Sequence, residues 1–375
     1  MNMKTRPLFI NQGTDRARIP SVTVTPDGTV YAFTNCRVGT AIDHADETRL
    51  LVRRKKRNGD WEPVQTFGYP GWSWMIGACV CDENTGKVMC FFRKIAVTDG
   101  EFSKKYTPEE RNRLAKEKEA RDGEREGNYI LESVGEGFSV RPVTVVPNPR
   151  AGADPGSFFA TGSPHGCGSG ITKRFGDHAG RLLVPARFLL HETAAWTDLA
   201  TGTTNTVIFS DDHGNTWQTG GIVEPGTGEG ALCERSDGSL YFNSRSYFGV
   251  STRRDAISTD GGASFVRQRY CETLIEPNCN ADLVRCDWNG KVYFLFSNPH
   301  STSERVDMTI SLSTDEGETW KPVLTVDHRK AGYSSLGYDR ETGTVYLLWE
   351  CGTETYIDEN DILELPIWAL PGTAE

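Results

Sequence analysis

The stretch STDEGETW, Ser313 to Trp320, gathers an aspartate, a glycine and a hydroxyl residue and then closes on a tryptophan. Aspartate accepts backbone hydrogen bonds in turns and glycine reaches positive φ without steric cost, so the octet reads as a tight hairpin turn whose Trp enters a core. SDDHGNTW (Ser210 to Trp217) and STDGGASF (Ser258 to Phe265) repeat the same order of Ser, Asp, Gly, hydroxyl and aromatic residue. Asp212, Asp260 and Asp315 recur at a spacing that fits one small antiparallel sheet per repeat, as in the blades of a β-propeller. Two worn copies precede them, KKRNGDW (Lys55 to Trp61) and SVGEGFSV (Ser133 to Val140). Such turns are expected to build the fold and to take no part in chemistry.

Between the octets the chain alternates in short β-branched and aromatic runs bounded by glycine turns, among them SVTVTPDGTVYAF, GRLLVPARF, GKVYFLFS and TGTVYLLWE. One segment departs from this. TPEERNRLAKEKEARDGEREG, Thr107 to Gly127, opens with a capping Thr and an N1 Pro and is rich in helix formers, so a charged helical insertion is expected at about residues 100–127. Its acids balance its bases, which favours a solvated excursion over a nucleic-acid arm. The expected fold is therefore all-β, with residues 1–375 forming one propeller domain.

Composition sets the outer limits. With 37% hydrophobic and 25% charged residues and 39 glycines among 375, the chain reads as a turn-rich globular protein. A formal net charge of −10 argues against nucleic-acid or anionic-membrane partners, so any anionic ligand needs a local cluster of arginines. No apolar run reaches membrane-spanning length and MNMKTRPLFINQGTDRARIP has no signal-peptide core, which predicts a cytoplasmic protein, or a secreted one whose leader has been removed. Ten cysteines, with no CxxC pair and no HExxH, read as buried free thiols, and neither a metal nor another cofactor is expected. GCGSG is followed by strand residues where a nucleotide-binding helix would have to open.

Propeller sites form where strand ends converge on the axis. The polar residues at such ends are Arg18 in ARIPSVTV, Glu229 and Arg245 in GTGEGALCERSDGSLYFNSRS, Arg305 in SERVDMTIS, and Tyr333 and Glu350 in AGYSSLGYDRETGTVYLLWE. Each alone has an ordinary structural explanation, as a solvated charge or a half-buried amphipath.

Taken together and in order, they resemble the sialidase family of six-bladed propellers with Asp-box octets. Arg18-Ile19-Pro20 is similar to its first-strand motif, and CRVGTAIDHADETRLLVRR to the following segment, which in that family carries an arginine (Arg37) and then the acid/base aspartate. The resemblance implies that Arg18, Arg245 and Arg305 form a carboxylate-binding triad and that Glu350 braces Arg18. It also implies Tyr333 as nucleophile, Glu229 as its base and Asp43 as acid/base, with Asp46 of the same loop as the alternative. The implied substrates are sialylated or other ulosonic-acid glycoconjugates, acted on by a retaining exo-glycosidase.

The chemistry agrees with that assignment. A sialoside carries a carboxylate on its anomeric carbon, which forked, permanently charged arginines match. An anionic nucleophile about 4 Å from that carboxylate would be repelled by about 4 kcal/mol at an effective dielectric near 20. A neutral phenol avoids this and needs a base. The chain also departs from its relatives: Gly230-Ala231 follow Glu229 where a polar pair is usual, Asn280 replaces a common glutamine, and GWSWMIGACV lacks an Asn-Pro after its tryptophan. Trp72, Trp74 and Met75 could form an apolar recess for an acyl group or belong to the blade core. Two other readings stay open: a hydrolase of Kdn or Kdo, and a glycan-binding propeller without catalysis.

Overall fold

The computed structural model describes residues 5–40, 47–97, 107–147, 168–189 and 202–373. Its strands assemble into six blades around a central axis. The first strand, β1 (Thr5–Ile10), is set aside for the last blade. Blade 1 comprises β2 (Arg16–Val24), β3 (Val30–Arg37), β4 (Thr48–Lys55) and β5 (Gln65–Phe67); blade 2 comprises β6 (Trp72–Asp82), β7 (Lys87–Ala96), β8 (Gly127–Val134) and β9 (Gly137–Pro142). In blade 3, β10 (Val145–Val146) runs parallel to β14 (Trp217–Ile222), beyond β11 (Ile171–Thr172), β12 (Leu182–Leu189) and β13 (Thr203–Ser210). Blade 4 contains β15 (Thr227–Glu234), β16 (Leu240–Ser246), β17 (Thr252–Ser258) and β18 (Val266–Ile275).

The last two blades share a strand, where the sequence led us to expect four strands apiece. β19 (Asp282–Trp288), β20 (Lys291–Pro299) and β21 (Val306–Ser313) are completed by the first half of β22 (Lys321–Asp339). The second half of β22 opens blade 6 and pairs with β23 (Thr344–Gly352), then β24 (Glu359–Pro366) and finally β1. The N-terminal strand thus closes the ring against the C-terminal one. The inner strands pack in sequence, β2 on β6, β6 on β11, β11 on β15, β15 on β19, β19 on β22 and β22 back on β2.

The core follows from strand alternation. Leu182, Val184 and Ala186 of β12 face blade 2, whereas Leu183 faces blade 4, so every blade buries both faces. Six apolar clusters result, one at each interface between neighbouring blades. The octets close these interfaces. Each is the turn between the third and fourth strands of its blade, and its aromatic residue packs on the preceding blade: Trp61, Trp217, Phe265 and Trp320 do so for blades 1, 3, 4 and 5. In the worn copy of blade 2 the residue that enters the core is Phe138, while Val140, in the octet's aromatic place, is exposed. Blade 6 has no octet because its third and fourth strands, β24 and β1, come from opposite ends of the chain.

Within the octet ending at Trp320, Asp315 accepts from the Thr319 amide (2.9 Å), the Thr319 hydroxyl (2.6 Å) and the Ser313 hydroxyl (2.8 Å), and Ser313 accepts from the Gly317 amide. Asp212 and Asp260 repeat this pattern. Glu316 and Gly317 both have positive φ, 56° and 94°, which is what the glycine is for.

The insertion is a helix, α1 (Pro108–Asp122), with Thr107 and Glu110 in a reciprocal capping box and Gly123 as left-handed C-cap. It rises from the connection between β7 and β8, buries Ala115 and is pinned by the Trp72 indole, which donates to Asp122 (3.1 Å). The cysteines among the described residues are free and, Cys36 excepted, buried. No helix among these residues is long and apolar enough to cross a membrane.

Candidate active site

The site lies where inner strands begin, and it is built on bulges. In β15, Thr227 pairs with Ser246 and Gly230 with Ser244, so Gly228 and Glu229 together face Arg245. In β22, Ala331 pairs with Cys351 and Ser334 with Trp349, so Gly332 and Tyr333 face Glu350. β2 slips in the same way between Arg18 and Ser21. A bulge leaves one residue unpaired and re-aims its side chain, here toward the axis instead of a neighbouring blade. The glycines permit close approach: a Cβ on Gly228 would lie 2.2 Å from the Tyr247 ring, and one on Gly332 2.3 Å from the Glu350 carboxylate. Ile19 takes φ 62°, a conformation costing a β-branched residue about 1–3 kcal/mol, and its amide is held by Glu350 (2.8 Å).

Glu350, fully buried, gathers three groups. Its Oε1 accepts from Arg18 Nε (2.6 Å) and the Ile19 amide, and its Oε2 from the Tyr333 amide (3.0 Å). The Tyr333 hydroxyl donates to Glu229 Oε1, and the other Glu229 oxygen accepts from Arg245 Nη1 at 2.5 Å. Arg245 Nη1 is also 3.3 Å from the Tyr333 oxygen. The guanidinium carbons of Arg18 and Arg305 lie 5.9 and 5.6 Å from the Tyr333 ring centroid, so three arginines surround one phenol. Asn278, at φ 54°, joins two of them: its side-chain oxygen accepts from Arg245 Nε (2.6 Å) and its carbonyl from Arg305 Nη2 (3.1 Å).

Electrostatics give these groups distinct protonation states. Burial pushes the Glu229 carboxyl up, but Arg245 and Arg187 outweigh it and hold Glu229 below its usual range. Burial and the Glu229 charge raise the Tyr333 phenol well above its usual range, although Arg245 and Arg305 oppose them. At neutral pH the pair is a neutral phenol donating to a carboxylate, so a proton can pass from one to the other as the phenol oxygen forms a bond.

Residues 162–347 match the BNR repeat-like domain. The chain is 31% identical over 366 residues to the sialidase of Micromonospora viridifaciens, covering 91% of this chain and 51% of that protein. The chain is similar in sequence to sialidases. It spans about half the length of that relative. In fold it is similar to a Hadza microbial sialidase (TM-score 0.73, 24% identity, 95% of this chain and 66% of the other). It is also similar to the intramolecular trans-sialidase from Ruminococcus gnavus (TM-score 0.72, 15% identity, 99% of both chains).

Six of the residues singled out from the sequence come together: Arg18, Glu229, Arg245, Arg305, Tyr333 and Glu350. Arg37 ends β3 opposite Thr48 and is buried. Asp43 and Asp46 lie outside the described residues. The positions where the chain departs from its relatives are not exposed in the site: Gly230 lies against Phe242, Ala231 is in the core between blades 4 and 5, and Asn280 is fully buried. Nor do Trp72 and Trp74 form an open recess. Trp74 stacks on Phe92 at 4.5 Å and Trp72 packs beneath α1, because both side chains fill the interface between blades 1 and 2.

Four neighbours of the site were not anticipated: Tyr356, Tyr247, Arg187 and the bridging Asn278. Tyr356 lies 5.4 and 4.9 Å from the Arg18 and Arg305 guanidinium carbons. Tyr247 lies 5.0 Å from that of Arg245, and Arg187 reaches the Tyr247 hydroxyl (3.4 Å). Only Asn278 carries a local signal, since asparagine tolerates the left-handed region. Away from the site, Asp327, Cys351 and Asp361 could hold a metal ion by spacing, but Arg329 already bonds all three.

Proposed function

We propose that this chain is a retaining exo-sialidase that releases a terminal sialic acid from glycoconjugates. The observation that carries the reading is the Tyr333 hydroxyl donating to Glu229 within 3.3 Å of Arg245. Arg18, Arg245 and Arg305 bind the substrate carboxylate and set the anomeric carbon over the Tyr333 oxygen. As that oxygen bonds to the anomeric carbon, its proton passes to Glu229, the glycosidic C–O bond breaks, and the leaving oxygen takes a proton from Asp43 or, failing that, Asp46. Water then attacks the same carbon and gives its proton to the same aspartate. The Tyr333 oxygen leaves and recovers its proton from Glu229, which balances both steps. The neutral nucleophile spares the substrate carboxylate a like charge at close range.

The purified protein, assayed on 4-methylumbelliferyl glycosides of N-acetylneuraminic acid and of Kdn, is expected to turn over the first. Turnover of Kdn alone would reassign the sugar acid. Binding of the planar 2,3-unsaturated analogue without turnover of either glycoside would replace the enzyme by a glycan-binding propeller. The mass of the product separates hydrolysis from internal transfer, whose product is one water lighter.

A further inference from the structure

Blade 4 contains a buried ion pair that the reaction scheme leaves unused. Arg253 on β17 and Glu276 just after β18 are 0% and 1% exposed, with Arg253 Nη1 3.0 Å from Glu276 Oε2. Burying such a pair is a poor route to stability, because desolvation offsets the attraction and apolar residues of similar volume often serve as well or better. What distinguishes this pair is where its other hydrogen bonds go.

Arg253 Nη2 donates to the carbonyl of Glu229 (3.3 Å) and Nη1 to the carbonyl of Cys279 (2.9 Å). Glu276 Oε1 accepts from the amide of Ser246 (3.0 Å) and Oε2 from the amide of Cys279 (3.2 Å). The pair therefore grips the main chain at Glu229, at the residue after Arg245, and at the residue after Asn278. Glu229 belongs to a bulge, where ladder pairing lapses and a carbonyl needs another donor. The guanidinium is fixed in turn by Asn243, which accepts from Nε (2.8 Å), and by the Phe296 ring 5.6 Å away.

We infer that the Arg253–Glu276 pair is a positioning device that sets Glu229, Arg245 and Asn278 in register with one another. The inference rests on the proposed roles of Glu229 and the arginines. Only a planar fork of donors reaches both carbonyls and the carboxylate from one buried point, and only a carboxylate accepts from both amides while neutralising it. Removing one partner strands the other as a buried charge, whereas replacing both spares the fold and removes the grip.

The test is the double variant Arg253→Met with Glu276→Leu, measured beside wild type for melting, kcat, KM and affinity for the 2,3-unsaturated analogue. Melting is expected within a few degrees of wild type and kcat lowered about 100-fold. Analogue affinity should fall only about tenfold, because Arg18 is held by Glu350 independently. A merely structural pair would leave kcat untouched in the folded protein, so a kcat within threefold of wild type at unchanged melting overturns the inference. Should the double variant not fold, Arg253→Lys replaces it, which keeps the buried charges paired but lacks the planar fork, with a tenfold lower kcat expected and the same threefold limit. Should wild type bind the analogue but turn over neither glycoside, the proposed function fails, and positioning is then judged on analogue affinity with the same threefold limit. Should wild type neither bind nor turn over, both fail together.

Discussion

Tyr333 owes its surroundings to residues far away in sequence: its amide is held by Glu350, its hydroxyl by Glu229, and its ring stands between Arg18 and Arg305. Tyr333→Phe removes the attacking oxygen and leaves the guanidinium groups in place. Turnover is expected to vanish while the unsaturated analogue binds within about tenfold of wild type, about 1.4 kcal/mol, by calorimetric titration. Glu229 supplies a second check. The catalytic form is the carboxylate, and Arg245 and Arg187 hold its titration below the usual range against the upward push of burial. The loss of kcat/KM on acidification set by this group therefore lies below the ordinary glutamate value. Arg187→Gln removes one of the two opposing charges, so that limb should move to higher pH; an unmoved limb would show that Arg187 does not act on Glu229.

At the scale of single elements, the octet joins a local device to a distant one. Its aspartate organises the turn and its aromatic residue seals the interface with the preceding blade. Burial pushes the Asp315 carboxyl up, yet the hydrogen bonds from Thr319 and Ser313 prevail, and it titrates below its usual value, as do Asp212 and Asp260. A depressed carboxyl stabilises the fold above its unfolded pKa, near 3.8, and that contribution is lost as pH falls through the lower folded value. Asp315→Ala should accordingly cost about 0.5–2 kcal/mol at pH 7, by analogy with helix caps. The melting difference from wild type should begin to narrow as pH falls below about 3.8, where the unfolded chain takes up the proton, and narrow further as pH passes the lower folded value. A difference that persists unchanged at low pH would assign the effect to shape instead of charge.

For the whole molecule, closure is the decisive feature. β1 completes the blade begun by β22 and β23, so the two ends of the chain meet in one sheet, with Leu8 and Phe9 buried between blades 6 and 1. Phe9→Ala leaves a cavity at that seam and is expected to cost about 3–5 kcal/mol in denaturant unfolding, as for a fully buried core aromatic and not for a loose terminus. The octets make the blades legible in the amino-acid order alone, because an Asp–Gly turn is a local device, and the same locality exposes the capping box of α1. The ordered arginines, Glu229 and Tyr333 are legible through resemblance to the sialidase family, not through any pattern of their own. Bulges at Glu229 and Tyr333 break the two-residue period on which strand reading depends, so nothing local announces which way those side chains point. Tyr247, Tyr356 and the Arg253–Glu276 pair are illegible for a related reason: each looks like an ordinary loop or strand residue until its partners arrive from other strands. The sequence by itself determined repeated turns, alternating strands and one capped helix, all set by neighbours a few residues apart. Only the tertiary structure decided which polar residues share the axis, because that depends on ring closure and on hydrogen bonds between distant segments, such as that between Arg18 and Glu350, 332 residues apart.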